Sequence, residues 1–260
     1  MERNRGRSQV RPMRGAGKKR DVETYGCQRN VGDSERRGAR RQDEGYTYTE
    51  DIAGADVILV KTCSIRENAE QRIWGRLKEF GRYKKARPDL VVGIVGCMAE
   101  RLREELLEKE PIVSIVAGPD SYRDMPRLVN EALGGAPGIN VLLSQEETYA
   151  DVRPVRLDKN GVSAFIAIMR GCNNYCSYCV VPYTRGVERS RDPKSILREA
   201  QELFAAGYRE ITLPGQNVNP YMWDDGSGIT DFPELIARVA SVSPKLRVWF
   251  ATSHPMDLSD

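Results

Sequence analysis

GCNNYCSYC, residues Gly171 to Cys179, places Cys172, Cys176 and Cys179 at spacing C-x3-C-x2-C within eight residues. The apolar run Ala164 to Met169 ahead of it reads as a buried strand. Ile196, Leu197, Ala200, Leu203 and Phe204 behind it recur at helical spacing and stop at Gly207. A strand that ends on a ligand-rich loop and passes into a helix is a unit of a parallel α/β layer, where ligands gather beyond the carboxyl ends of the strands. Three thiols in so short a loop cannot pair off as disulfides without leaving one over. They can wrap three thiolates around one corner of a metal centre and leave a fourth position open.

Downstream, Ile211 to Leu213 reads as a second strand, Leu235, Ile236 and Val239 as a second helix, and Leu246, Val248 and Phe250 as a third strand. Three βα-type units with the third incomplete do not close a barrel, so residues 162-260 are expected to be the first part of a partial (β/α) barrel, cut off part-way. Upstream the same alternation holds. Asp21 to Tyr25, Val57 to Val60, Leu90 to Val95 and Ile112 to Val116 read as strands. Ala69, Ile73, Leu77 and Phe80 mark a helix, as do Leu102, Leu106 and Leu107, and then Tyr122, Met125, Leu128, Val129 and Ala132. Ser34 to Gly45 stands where a further helix belongs, yet Ala39 is its only apolar residue. The fold class expected is α/β: an N-terminal domain with a mainly parallel sheet over residues 21-143, with Gly134 to Gly138 near its end also reading as linker, a linker over 144-161, and the incomplete barrel.

The other three cysteines, Cys27, Cys63 and Cys97, each follow a strand reading and precede a helix reading, beside small residues (Gly26, Ser64, Gly96). If their strands are neighbours, all three converge on a second metal site. The alternative is three small core residues. Structural zinc takes four protein ligands in two pairs, and the second pair is missing at the cysteine loop. A [4Fe–4S] cluster held by three thiolates needs none. The single histidine, His254, reads as a structural or hydrogen-bonding residue.

The net charge of +3 is unevenly placed. Residues 1-20 hold eight basic side chains (Arg3, Arg5, Arg7, Arg11, Arg14, Lys18, Lys19 and Arg20) against Glu2 alone, a net +7, which leaves −4 for the remaining 240. Such a tail either adds attraction to RNA or is a disordered, solvated leader. No stretch approaches a membrane span, and the N-terminus lacks the apolar core of an export signal. A reducing, cytoplasmic setting is therefore expected, where clustered cysteines bind metal rather than form disulfides.

The chain resembles radical S-adenosylmethionine enzymes in C-x3-C-x2-C after a first barrel strand. It resembles their methylthiotransferase family in TYGCQ (Thr24 to Gln28), TCSIRENAEQR (Thr62 to Arg72), GCMAER (Gly96 to Arg101), IMRGCNNYCSYCVVPYTRGVERSR (Ile168 to Arg191) and GQNVN (Gly215 to Asn219). The nearest branch makes 2-methylthio-N6-isopentenyladenosine in tRNA. The resemblance runs from about Val22 to the end, outside the basic tail. It departs from the family pattern at Arg29, Lys61 and Pro214.

The resemblance implies two [4Fe–4S] clusters, one on Cys172, Cys176 and Cys179 that cleaves S-adenosylmethionine, and a second on Cys27, Cys63 and Cys97. The 5′-deoxyadenosyl radical takes hydrogen from C2 of an isopentenylated adenosine beside the anticodon. Sulfur associated with the second cluster is inserted, and a second S-adenosylmethionine provides the methyl. Tyr178 is expected near the adenosyl group or simply packed. Gly215, Gln216 and Asn217 are expected to touch the cofactor. Arg185, with Arg189 and Arg191, meets cofactor or phosphate, or else belongs to a solvated basic loop. The partners implied are tRNA and an electron donor such as flavodoxin or ferredoxin, with no membrane and a monomeric enzyme. The rest of the barrel and an RNA-binding module lie outside this sequence, so the chain alone is expected to bind iron better than it turns over. The competing readings are a methylthiotransferase acting on threonylcarbamoyl-adenosine tRNA or a ribosomal protein, and a non-catalytic, metal-stabilised RNA-binding fragment.

Overall fold

The computed structural model describes residues 19–24, 47–49, 51–64, 67–148 and 161–257. Cys27 and the helix expected over residues 34–45 lie outside them.

The N-terminal sheet has strand order β2-β1-β3-β4-β5-β6 and is parallel throughout. Its strands are β1 (Lys19–Thr24), β2 (Thr47–Tyr48), β3 (Val57–Thr62), β4 (Val91–Gly96), β5 (Val113–Ala117) and β6 (Gly138–Asn140). The unbroken apolar runs of β3 and β4 follow from burial on both faces. Ile58, Val60, Val92 and Ile94 point into one core with Ile73, Leu77 and Phe80 of α1 (Glu67–Ala86). Val57, Leu59, Val91 and Val95 point into the other with Met125, Leu128, Val129 and Ala132 of α4 (Met125–Leu133).

Three sequence readings change here. The helix expected through Leu102, Leu106 and Leu107 is two short ones, α2 (Cys97–Leu102) and α3 (Glu105–Lys109), because Arg103 between them takes φ 50 and breaks the hydrogen-bond run. Tyr122 belongs to a separate 3-10 turn, Ser121–Arg123, rather than to α4. Gly138, read as linker, opens β6 and pairs with Ile115.

The second core lies under a three-stranded parallel sheet, β13-β10-β7, made of β7 (Ser163–Phe165), β10 (Glu210–Pro214) and β13 (Arg247–Ala251). Ile166 and Ile168 carry β7 onward, their N–H groups donating to Thr212 and Pro214. They pack with Ile196, Ala200 and Leu203 of α6 (Pro193–Ala205) and Leu235 and Val239 of α7 (Phe232–Ala240). Both helices start on an aspartate whose side chain accepts from the first turn, Asp192 from Lys194 and Ser195 and Asp231 from Glu234. A small antiparallel hairpin, β11 (Met222–Asp224) with β12 (Ile229–Asp231), precedes α7. Strand β13 is an edge of this sheet among the described residues, with Trp249 and Phe250 about half exposed. No described helix is long and apolar enough to cross a membrane.

Candidate metal centre and the second thiol pair

The cysteine loop leaves the sheet through a short antiparallel clasp, β8 (Met169–Arg170) with β9 (Arg189–Ser190). Gly171 then takes φ +71, and a Cβ there would lie 1.8 Å from the Val187 carbonyl oxygen, so no other residue fits. Cys172 N–H donates to Gly186 O at 3.1 Å. Asn173 and Glu188 exchange bonds: Asn173 N–H donates to Glu188 Oε1 at 3.2 Å, and Glu188 N–H to Asn173 Oδ1 at 3.1 Å. Cys179 N–H turns back to Cys176 O at 2.8 Å. The chain then enters α5 (Val181–Arg185).

All three thiols are free and half-buried. Burial pushes the Cys172 thiol above its ordinary value. Glu188, Cys179 and Cys176 push the same way, against a backbone hydrogen bond from Asn174. A thiol whose ionisation is made costly by burial and by neighbouring anions suits a cationic iron centre, which offsets that cost. Among the described residues no three His, Cys, Asp or Glu side chains converge tightly enough for one metal ion, as mononuclear zinc would need. Thiolates on a four-iron cubane each take a different iron and stand further apart.

Opposite the loop are the ends of β10 and β13. A Cβ on Gly215 would lie 2.7 Å from Met169 Cγ, which keeps this turn tight against the clasp. Asn217 is buried and fully engaged: Nδ2 donates to Asp257 Oδ2 at 2.5 Å, and Oδ1 accepts from His254 N–H at 3.1 Å. Asp257 Oδ2 also accepts from Asn174 in the cysteine loop, at 3.4 Å. Gln216 Oε1, Asn219 Oδ1 and Ser253 Oγ are buried here with no hydrogen-bond partner among the described residues. Orphaned polar oxygens at the carboxyl end of a parallel sheet suit a polar ligand.

Tyr178 is 87% exposed, so packing does not explain it. Arg185 is buried on α5. The reading of Arg189 and Arg191 as a solvated or phosphate-facing loop is corrected. Arg189 lies 2.9 Å from Asp120 and Arg191 2.6 Å from Glu199, all four side chains buried. His254 is the residue whose place was least legible beforehand: its Nε2 lies 3.5 Å from Cys176 Sγ.

The second thiol group stands across the domain boundary. Thr62 of β3 pairs with Gly96 of β4, so Cys63 and Cys97 directly follow two partnered strand ends, and both are buried. Thr62 Oγ1 donates to Val95 O at 3.0 Å and accepts from Met98 N–H at 3.3 Å, which fixes the start of α2 at Cys97. Gly96 takes φ +105, with Thr62 O only 2.7 Å from where a Cβ would stand. Ser64 Oγ, beside Cys63, is buried with no hydrogen-bond partner among the described residues. Lys61 is buried one register position from that end, paired with Val95 and, on the other side, with Thr24 of β1. Helix α2, which begins at Cys97, packs against α5, which follows Cys179.

Residues 19–118 match the family described as "Uncharacterized protein family UPF0004", and residues 166–258 match the Radical SAM superfamily. A superfamily match of that kind implies S-adenosylmethionine and a [4Fe–4S] cluster. Relatives named tRNA-2-methylthio-N(6)-dimethylallyladenosine synthase include one from Amoebophilus asiaticus, 53% identical over 250 residues, covering 92% of this chain and 51% of its own length. One from Chloroherpeton thalassium is 53% identical over 238 residues, covering 92% and 52%. The chain spans about half the length of the curated relatives it matches. Among solved structures, the radical S-adenosylmethionine methyltransferase TsrM from Kitasatospora setae aligns with a TM-score of 0.56 at 14% identity, over 90% of this chain and 54% of that one. The cobalamin-dependent S-adenosylmethionine radical enzyme OxsB aligns at 0.53 and 12% identity, over 86% and 37%. At those identities the likeness is one of fold.

Proposed function

We propose that the chain belongs, over the stretch it spans, to the radical S-adenosylmethionine methylthiotransferase family, and that it is the catalytic part of an enzyme that adds a methylthio group to C2 of N6-isopentenyladenosine in tRNA. Cys172, Cys176 and Cys179 would hold one [4Fe–4S] cluster, and Cys63 and Cys97, with Cys27, a second. A cluster with one free iron supplies the electron that cleaves S-adenosylmethionine when both are bound.

The remaining work falls to the chain's own groups. Gly171 and the clasp of β8 and β9 fix the turn from which the cysteine loop starts. Gln216, Asn219 and Ser253 offer unsatisfied oxygens to the polar end of a bound cofactor. Exposed Tyr178 offers a ring face to an adenine. The contact of α2 with α5 holds the two thiol groups on neighbouring elements, as a reaction that carries sulfur from one site to a radical at the other requires. That contact is the observation that carries the reading: a radical enzyme with no sulfur to insert has no need of a thiol group there. An anticodon loop, single-stranded and open to splaying, suits such a site.

The test is anaerobic incubation of the reconstituted protein with reductant, S-adenosylmethionine and tRNA carrying N6-isopentenyladenosine, followed by mass spectrometry of the nucleosides. A 2-methylthio derivative of that nucleoside is expected once the chain is joined to the remaining half of such a relative, while this chain alone is expected to take up iron and turn over little. The same gain on threonylcarbamoyl-adenosine, or on a ribosomal protein and not on tRNA, would replace the substrate assigned here.

A further inference from the structure

His254 is the only histidine in the chain, and hydrogen bonds hold both its backbone and its ring. Its backbone N–H donates to Asn217 Oδ1 at 3.1 Å, and its carbonyl accepts from Asp257 N–H at 3.0 Å. Two residues earlier, Thr252 is held at φ 79, a left-handed conformation that a β-branched residue adopts only when its surroundings impose it. Val218 N–H donates to the Thr252 carbonyl at 2.9 Å. Asp257 then bridges Asn217 to Asn174, which returns the loop to the cysteines.

The ring nitrogens have distinct partners. Met256 N–H donates to Nδ1 at 3.3 Å, so Nδ1 is an acceptor, and the proton of a neutral imidazole then sits on Nε2. Nε2 lies 3.5 Å from Cys176 Sγ, a hydrogen-bonding distance for sulfur. We infer that His254 is a positioning residue that donates an Nε2–H hydrogen bond to the Cys176 sulfur and thereby raises the reduction potential of the cluster on that loop. The inference rests on the reading of Cys172, Cys176 and Cys179 as cluster ligands. A donor at a ligand sulfur stabilises the reduced, more negative cluster more than the oxidised one, which is how outer hydrogen bonds tune such centres. It also orients the thiolate: the Cys176 side chain is held from the β13 side of the sheet, while Cys172 is held through the clasp.

Two measurements test this. With histidine labelled in 15N, the metal-free chain gives one pair of ring-nitrogen resonances. In alkaline buffer, where imidazole is neutral, they are expected to show a bare Nδ1 and a protonated Nε2, with Cys176→Ala moving the Nε2 signal and leaving the tautomer unchanged. The opposite tautomer would overturn the inference. In the second, Cys27→Ala/Cys63→Ala/Cys97→Ala leaves one cluster site, and the reconstituted protein is titrated potentiometrically by electron paramagnetic resonance. His254→Phe is expected to shift the midpoint to a more negative value at unchanged iron content, and His254→Gln, whose amide nitrogen can stand in for Nε2, to restore part of the difference. Equal midpoints for wild type and His254→Phe at full iron content would refute the hydrogen bond while leaving the cluster intact. A triple variant that takes up no iron would sink the cluster reading itself, and the inference with it.

Discussion

Asp120 and Arg170 form an ion pair across the boundary between the two domains, with 1% and 2% of their side chains exposed. Asp120 lies beyond the end of β5, and Arg170 is the last residue before the Gly171–Cys172 turn. Arg189, on the facing strand of the clasp, reaches the other carboxylate oxygen at 2.9 Å. One carboxylate thus serves two guanidiniums, and both strands that carry the cysteine loop are tied to the neighbouring domain. Arg170 also donates to Pro119 O at 3.2 Å and Arg189 to Arg185 O at 2.7 Å, while the Ser144 carbonyl accepts from Arg189 as well.

Asp120→Ala removes the buried carboxylate that Arg170 and Arg189 share, and breaking a buried ion pair by removing one partner typically costs about 3–5 kcal/mol. Urea denaturation is expected to show a loss of that order. The double variant Asp120→Ala/Arg189→Ala is expected to lose less than the sum of the two single changes, because the residues share one network. Additive losses would mean that the pair is not coupled.

Glu100, three residues into α2 from Cys97, is buried, with Oε1 3.3 Å from Arg103 and Oε2 without a hydrogen-bond partner among the described residues. Burial raises its pKa from the ordinary 4.5 to about 7; Arg103 opposes the rise and Asp120 adds to it. The native state therefore holds this proton more tightly than the unfolded chain does. Its contribution to stability is full below about pH 4.5 and is lost as pH climbs towards about 7. Glu100→Gln removes that dependence, so the variant should gain stability relative to wild type between pH 5 and pH 8. Parallel stability–pH profiles for the two proteins would contradict the assignment.

The parallel layers were legible because β3 and β4 are apolar on both faces and their helices keep a 3.6-residue period. The cysteine loop was legible because three thiols in eight residues leave few chemical options. Register carried more: the sequence placed Cys63 and Cys97 past strand ends, and the Thr62–Gly96 pairing sets those ends side by side. What the sequence hid was long-range. Nothing local marks Asp120 as the partner of Arg170, 50 positions away, or brings His254 to Cys176, 78 positions away. Arg189 misread as part of a basic loop for the same reason, and Arg191 because its carboxylate, Glu199, though only eight positions on, lies on α6. Arg103 escaped because a non-glycine residue at positive φ leaves no compositional trace.

Gly171→Ala tests how far the thiols depend on backbone geometry. The added methyl would overlap the Val187 carbonyl, and relieving such an overlap typically costs about 1–3 kcal/mol, with strain at positive φ in addition. The loop is expected to shift, and iron bound after reconstitution to fall well below wild type, although all three thiols remain. Undiminished iron would show that the loop adapts and that the glycine is dispensable.

The decisive experiment is an iron and sulfide count after anaerobic reconstitution of the wild-type chain and of Cys172→Ala/Cys176→Ala/Cys179→Ala. Two thiol groups that each hold a four-iron cubane predict about eight irons per chain, falling to about four in the triple variant. About four irons in wild type and none in the variant would leave Cys63 and Cys97 as core residues and remove the source of the inserted sulfur.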